Sequence, residues 1–257
     1  MSASKLNVLI LMAGSSKSFK EAGHIYPKML LEIDGKSLVE HVIASYGSLV
    51  SEEVNLTFVI RKEDNQAFHL GTVIKLLMPD ATILEVGGTT AGAACTALLA
   101  IDNINTNDAL LILNGDQILH TDLGAIVKKF HTQQWDGGIV TFRAVHPKWS
   151  YVKANVDGFV IEAAEKRPIS NRATAGVYYF KKGADFVEAA TSMIVKDAHV
   201  DGAFYVCPCY NEMILRQKTI GTHEISAKQY LSIITPQALQ ALEEAVNTGK
   251  VRLYEAA

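Results

Sequence analysis

Short apolar runs alternate with segments of helical periodicity through the first half of the chain. No other feature limits the fold as strongly. Leu6 to Met12, Asn55 to Arg61, Ala81 to Val86 and Ala109 to Leu113 read as strands. Between them, Leu38 to Leu49, Asn65 to Met78 and Ala91 to Ile104 repeat apolar residues at the spacing of a helix face. The first run is apolar on both faces, as a parallel strand covered on both sides is. This alternation predicts an α/β fold with a doubly wound, Rossmann-like, mostly parallel sheet. Ligands of such a sheet lie beyond the carboxyl ends of its strands.

The second half has a different rhythm. Gly137 to Arg143, Tyr151 to Val156, Phe159 to Glu165 and Ala175 to Phe180 read as strands joined by turns. Asp157-Gly158 is a hairpin signal between two of them. An antiparallel lobe following the parallel half is therefore expected. Thr235 to Glu255 is helical in pattern, and Pro236 suits a first helical turn. There is no internal repeat, low-complexity run or Pro/Ser-rich linker. The 257 residues therefore read as a single domain, with halves at about 1–130 and 131–235 and a helical tail at 236–257.

Charge and composition exclude several classes of function. A net charge of -3 and a pI near 6.2 lack the basic footprint of a nucleic-acid binder. No apolar stretch approaches the ~20 residues of a membrane span. The N-terminal apolar run is too short for a signal peptide and leads straight into a polar loop, so it reads as mature sequence. Cys207-Pro-Cys209 has no second half with which to hold zinc, and Cys95 stands alone. Histidines are scattered singly, without an H-E-x-x-H pattern. These features describe a cytoplasmic protein with reduced thiols. Its partners are small molecules, neither nucleic acid nor membrane, and a homo-oligomer is left open.

Three segments carry chemistry. The first run ends in Ala13-Gly14-Ser15-Ser16, and Lys28 follows in a Pro-Lys pair. Backbone N–H groups of a small-residue loop after a strand can hold phosphate oxygens, and a lysine nearby adds mobile positive charge. The pair suits a nucleoside triphosphate, although the loop alone reads more readily as an ordinary βα turn. Gly87 to Ala94 follows the third strand and opens a helix. Its small residues either let a planar base approach the backbone or pack a helix tightly on the sheet. Asp116 follows the apolar run Leu110 to Leu113 in Asn114-Gly115-Asp116-Gln117. It is either a Mg²⁺ ligand at a strand's carboxyl end or a turn residue.

In order along the chain stand Ala13-Gly14, Pro27-Lys28, Gly35-Lys36, Asn114-Gly115-Asp116, Glu165-Lys166-Arg167-Pro168 and Gly176-Val177-Tyr178. The order resembles the sugar-phosphate nucleotidyltransferases, the NDP-sugar pyrophosphorylase type that serves capsule and surface-polysaccharide synthesis. The resemblance implies the nucleotide-diphospho-sugar transferase fold. It also implies a reaction in which a phosphorylated small molecule, a sugar 1-phosphate, attacks an NTP and releases pyrophosphate. It assigns catalysis to Lys28, Asp116 and Lys166, and the triphosphate to Ala13, Gly14, Ser15, Ser16 and Lys17. The nucleobase falls to Thr90, Gly92 and Ala93, and the acceptor to Asn114, Glu165, Lys166 and Gly176. Mg²⁺ falls to Asp116, with a second ligand expected among Asn211, Glu212 and Asp201. Asn211 is otherwise a helix cap. His146 to Tyr151 either lines the acceptor pocket or is a plain loop.

One departure bears on that grip. The family pattern runs roughly Gly-x-Gly-Ser-Arg-Phe, whereas this chain has Gly14-Ser15-Ser16-Lys17-Ser18-Phe19. Ser18 stands where the arginine is expected, and lysine lacks arginine's planar fork. Either Lys17 or Lys20 compensates, or activity is low. Two other readings stay open. A glycosyltransferase of the same fold would want Asp-x-Asp, and Asn114-Gly115-Asp116 lacks the first carboxylate. A non-catalytic nucleotide sensor would tolerate the missing arginine.

Overall fold

The computed structural model describes residues 5–49 and 53–253. Its first half holds β1 (Leu6–Leu11), α1 (Lys17–Glu21), the short pair β2 (Glu32–Ile33) and β3 (Lys36–Ser37), α2 (Leu38–Ser45) and β4 (Val54–Arg61). It continues with α3 (Lys62–Phe68), α4 (Leu70–Leu77), β5 (Thr82–Val86), α5 (Ala93–Leu98), α6 (Ile101–Ile104) and β6 (Ala109–Asn114). The second half holds β7 (Gln117–Leu119), α7 (Leu123–Thr132), β8 (Gly137–Arg143), β9 (Tyr151–Ala154), β10 (Val160–Ala164) and β11 (Arg172–Phe180). It ends with α8 (Gly183–Val195), α9 (Cys209–Leu215), β12 (Ile220–Glu224), β13 (Tyr230–Ser232) and α10 (Pro236–Asn247).

Nine strands of the described residues form one mixed sheet. β1 lies parallel to both β4 and β6, and β4 parallel to β5. β11 then pairs antiparallel with β6, β8 and β9, and β12 runs parallel to β8. Alternation along each strand sends side chains to opposite faces. Val8 and Ile10 join one buried cluster, whereas Leu9 joins the other. Leu111 and Leu113 divide from Leu110 and Ile112 in the same way. Residues of α2, α4, α7 and α10 cover the first face, and residues of α5, α8 and α9 the second. That is the doubly wound arrangement expected. From β1 the chain steps outward to β4 and β5, then returns to set β6 on the other side of β1. The strand order therefore reverses between β1 and β6, and a crevice opens there.

Several elements differ from expectation. The segment Asn65 to Met78 is two helices, broken where His69 takes a left-handed φ of 55°. Asn65 causes the break: its Oδ1 accepts from the Gly71 N–H at 2.7 Å, so a side chain competes with the helix's own acceptors. Ala91 to Ile104 likewise divides, and its first helix starts only at Ala93, because Gly92 has φ 107°. The helix from Leu38 ends at Ser45, followed by a 3₁₀ turn at Gly47–Leu49. The Asp157-Gly158 hairpin is wider than a two-residue turn. The Asn155 N–H donates to the Phe159 carbonyl, and Asn155 Oδ1 accepts from the Phe159 N–H. The tail helix ends at Asn247, and the last residues of the expected segment, 254–255, lie outside the described residues. Among the described residues no helix is long and apolar enough to cross a membrane.

Candidate active site

A cleft of about 420 Å³ opens at the β1/β6 reversal and extends onto the antiparallel lobe. At its floor Lys28 Nζ donates to Asp116 Oδ2 at 2.6 Å. The two residues reach this point from opposite sides of the reversal. Lys28 follows Pro27 in a 3₁₀ turn, and its backbone N–H donates to Ser16 Oγ at 3.2 Å. Its side chain is 4% exposed, so its charge is directed at Asp116 rather than at water. Asp116 is carried by the turn after β6. The Gly115 N–H donates to the Leu11 carbonyl at 2.9 Å. A Cβ on Gly115 would run into Met12 Cγ and the Leu11 carbonyl, so only glycine lets this turn lie against β1.

The turn is braced from two more directions. The buried Tyr46 donates its hydroxyl to the Asn114 carbonyl at 2.8 Å, and Gln117 Nε2 donates to the Gly176 carbonyl at 3.2 Å. Burial first, and the Asp116 charge second, push the Tyr46 hydroxyl up from its ordinary pKa. Gly176 has φ 62°, and a side chain there would meet Asn114 Nδ2 and Gln117 Oε1 at 2.5 Å.

The segment after β5 forms the adjoining wall, where Gly88, Thr89, Thr90, Gly92 and Ala93 all line the cleft. Thr90 and Thr96 share a hydroxyl hydrogen bond of 2.6 Å, and whichever hydroxyl accepts in it is within reach to donate to the Gly92 carbonyl. Gly92 lies against the backbone of Phe204, where no Cβ fits. The Ala94 N–H donates to the Phe204 carbonyl at 2.9 Å, and the Phe204 N–H donates to the Ala91 carbonyl at 2.8 Å. The small residues here therefore serve close backbone packing, and they also face the cleft.

The lobe supplies the far wall through Lys148, Trp149, Ser150, Glu165, Thr174 and Tyr205. Ser150 Oγ donates to Glu165 Oε2. Burial pushes the Glu165 carboxyl up from the usual range, opposed by the Ser150 hydrogen bond. Lys148 Nζ sits 4.4 Å over the Trp149 ring. Lys166, with φ 52°, is not among the residues that line the cleft; its Nζ is bonded to Asp201 Oδ2 at 3.3 Å and lies 5.3 Å from the ring of Tyr205, which does line it.

Most residues singled out in the sequence meet here. Ala13, Gly14, Ser15, Thr90, Gly92, Ala93, Asn114, Asp116, Glu165 and Gly176 line one cleft, with Lys28 beneath them. Four do not stand where expected, the first being Lys166, which lies outside the cleft lining. Ser16 is buried and spends its hydroxyl on the Lys28 backbone. Lys17 projects from α1 into solvent, 3.7 Å from Glu21, and does not line the cleft. Asn211 is consumed by β10: its Oδ1 accepts from the Ala163 N–H and its Nδ2 donates to the Ala163 carbonyl, both at 2.8 Å. Both of its polar atoms are thus turned to the β10 backbone rather than to the cleft, which Asn211 does not line. Glu212 is held by Lys196 at 2.7 Å, and Asp201 by Lys166. The loop His146 to Tyr151 does reach the cleft, through Lys148, Trp149 and Ser150. Sequence reasoning misses Arg61, Tyr205 and Tyr230, which also line it. Only the position of Arg61 at a strand's carboxyl end could have flagged it.

Residues 7–213 match the family described as Nucleotidyl transferase, a span from β1 into α9 that takes in the cleft residues named above except Tyr230. Over 180 residues the chain is 26% identical to the bifunctional protein GlmU of Methanocaldococcus jannaschii. That match covers 69% of this chain and 40% of the relative, so the chain spans less than half of the relative's length. The nucleoside-diphosphate-sugar pyrophosphorylase from Vibrio cholerae RC9 is 26% identical, with a TM-score of 0.79 over 92% of this chain and 99% of its own. The inositol-1-phosphate CTP transferase from T. maritima shares the fold, with a TM-score of 0.70 at 15% identity over 97% of this chain and 98% of its own. The chain belongs to the nucleotidyl transferase family.

Proposed function

We propose that the cleft binds an NTP against the β1–β5 side and a sugar 1-phosphate, or a similar phosphorylated small molecule, against the lobe. A phosphate oxygen of the acceptor attacks the α-phosphorus of the NTP. The bond from that phosphorus to the bridging oxygen breaks, and pyrophosphate leaves. The enzyme forms no covalent intermediate. Its contribution is to hold two anions in line and to offset their charge.

The observation that carries this reading is the Lys28–Asp116 pair at the strand-order reversal, in one cleft that touches both halves. Gly14 and Ser15 offer backbone N–H groups on the triphosphate side. Lys28 adds its charge from below. Lys148, Glu165 and Trp149 line the acceptor side, and Lys166 is assigned to it from beside Tyr205, with cations for its phosphate and a carboxylate for its hydroxyls. Supplying activated sugars for polysaccharide assembly in the cytoplasm suits such a reaction.

A divalent cation is implied by this chemistry. Among the described residues no cluster of three or more His, Cys, Asp or Glu could hold a metal ion. A single carboxylate is still sufficient for Mg²⁺, which commonly takes one or two carboxylates and fills its shell with substrate phosphates and water. Asp116 is the residue that would hold it. When bound, the ion neutralises phosphate charge and orients the reactants.

Pyrophosphate release from ATP, CTP, GTP, TTP and UTP against a panel of sugar 1-phosphates tests the proposal. Release that needs one nucleotide and one acceptor together is the expected result. NTP binding without release for any pair would favour the sensor, whose supporting observation is Ser18 in place of the signature arginine.

A further inference from the structure

Ser18 leaves the family's arginine position without a guanidinium, and Lys17 points away from the cleft. The triphosphate would thus lack a planar, bidentate donor, which only arginine offers. The described residues place another arginine where that grip is needed.

Arg61 is the last residue of β4. Leu11 pairs with Val59, and the Met12 N–H donates to the Val59 carbonyl at 2.8 Å. Carrying that register two residues on sets Arg61 level with Ala13, beside the Gly14-Ser15 loop. On its other side Arg61 pairs with Val86, where the Gly87–Thr90 segment departs. It therefore stands at the carboxyl ends of the strands, between the two loops of the nucleotide side, and it lines the cleft.

Its side chain is already oriented. Arg61 Nε donates to Glu63 Oε2 at 3.3 Å, and Glu63 Oε1 accepts from the Gly88 N–H at 3.4 Å. Among the described residues neither terminal nitrogen of Arg61 donates to a protein acceptor. One edge of the guanidinium is thus tethered to the loop, and the other is free to bond an anion. The side chain is 22% exposed, so the charge is only partly spent on water. Arg61 also shares its surroundings with Lys28. The buried Asp64 carboxyl, pushed up by burial, is pulled back by Arg61, Lys20 and Lys28 together.

We infer that Arg61 is the triphosphate-binding arginine of this chain, taking from β4 the role that the signature loop has lost at Ser18. The inference rests on the proposed NTP site and names a residue of that site. It assigns Arg61 to phosphate oxygens beyond the α-phosphate rather than to the base.

The test is equilibrium binding of the nucleotide that the parent prefers, measured as triphosphate and as monophosphate, to the parent, Arg61→Ala and Arg61→Lys. Far-UV circular dichroism and melting curves check folding, and Arg61→Lys serves if the alanine variant does not fold. Arg61→Ala should weaken triphosphate binding by about tenfold or more and monophosphate binding by less than about twofold. Arg61→Lys should fall between parent and alanine, because it keeps the charge and loses the fork. Equal losses for both nucleotides would mean that Arg61 serves the base or its loop, and unchanged triphosphate affinity would mean that it serves neither; each overturns the inference. The fate of the transferase reading is read separately. If the parent binds NTP but releases no pyrophosphate, and Arg61→Ala loses the triphosphate selectively, the inference stands and the transferase reading falls. If the parent binds no NTP, both fall.

Discussion

Lys28 and Asp116 are 88 positions apart in sequence, yet Nζ and Oδ2 lie 2.6 Å apart. Asp116 is 23% exposed and Lys28 only 4%, so the pair is asymmetric. The carboxylate faces the ligand space, and the ammonium beneath it depends on that carboxylate for compensation. In the proposed site, function and stability are therefore joined at this point.

Asp116→Asn separates the two contributions. It should lower turnover by about a hundredfold or more, the scale of losing a charged group aimed at the reacting centre. It should also cost about 1–3 kcal/mol of stability, because Lys28 is left buried with its charge uncompensated. Adding Lys28→Met should restore stability but not turnover. Chemical denaturation and pyrophosphate assays on the set decide this. A fully active Asp116→Asn protein would remove Asp116 from the chemistry.

The two lysines should divide by substrate. Lys28 lies under the Gly14 loop, and a Cβ on Gly14 would be 3.2 Å from its Nζ. Lys28→Ala should then weaken NTP binding without acceptor by about tenfold or more. Lys166 lies beside Asp201 and the cleft-lining Tyr205, so on the proposed reading Lys166→Ala should raise the KM for acceptor and leave NTP binding alone. Calorimetric titration with NTP alone reads the difference. Equal losses in the two variants would refute the division.

Glu165 predicts a pH effect. Its carboxyl is raised above the ordinary value of 4.5, chiefly by burial. Between that value and the folded one, the native state binds more protons than the unfolded state, so stability falls as pH rises through the window. Below the window the group costs nothing, and above it the full penalty applies. Glu165→Gln keeps an acceptor for Ser150 and never ionises. Relative to the parent it should gain stability between pH 4 and pH 7.5, as read by urea denaturation at both. A difference that is the same at the two pH values would contradict the burial argument.

Gly92 should tolerate no side chain. At φ 107° an L-residue is strained, and the Phe204 backbone occupies the Cβ position. Gly92→Ala should cost about 2–4 kcal/mol, combining backbone strain with overpacking. Because the same contact holds Ala91 and Ala94 to Phe204, and Gly92 and Ala93 line the nucleotide side of the cleft, the KM for NTP should also rise. A variant that melts like the parent would show that this junction gives way at little cost.

The parts legible in the sequence were those governed by local pattern. The strands at Leu6, Val54, Thr82 and Ala109 follow from apolar runs, and the cleft residues from Ala13 to Gly176 follow from the ordered motifs. What escaped depends on partners far along the chain. Asn211 reads as a strand-to-helix residue until Ala163, 48 positions away, takes both its polar atoms. Lys17 adjoins the phosphate loop in sequence, but α1 turns it outward toward Glu21. Arg61 sits in no motif, and only the pairing of β4 with β1 and β5 brings it to the nucleotide loops. β13 is only three residues long and pairs with β7, far back along the chain, so no local pattern joins them.

The antiparallel partnership of β11 with β6 has a consequence for any attempt to treat the halves as parts. Val177 to Phe180 cover the edge that Leu110 to Leu113 would otherwise expose. A fragment ending near residue 130 would present that buried, wholly apolar strand as a bare hydrogen-bonding margin, a template for self-association. The fragment should precipitate or oligomerise where the full chain does not. Recombining a nucleotide half from one relative with a lobe from another would succeed only if β6 and β11 were inherited together.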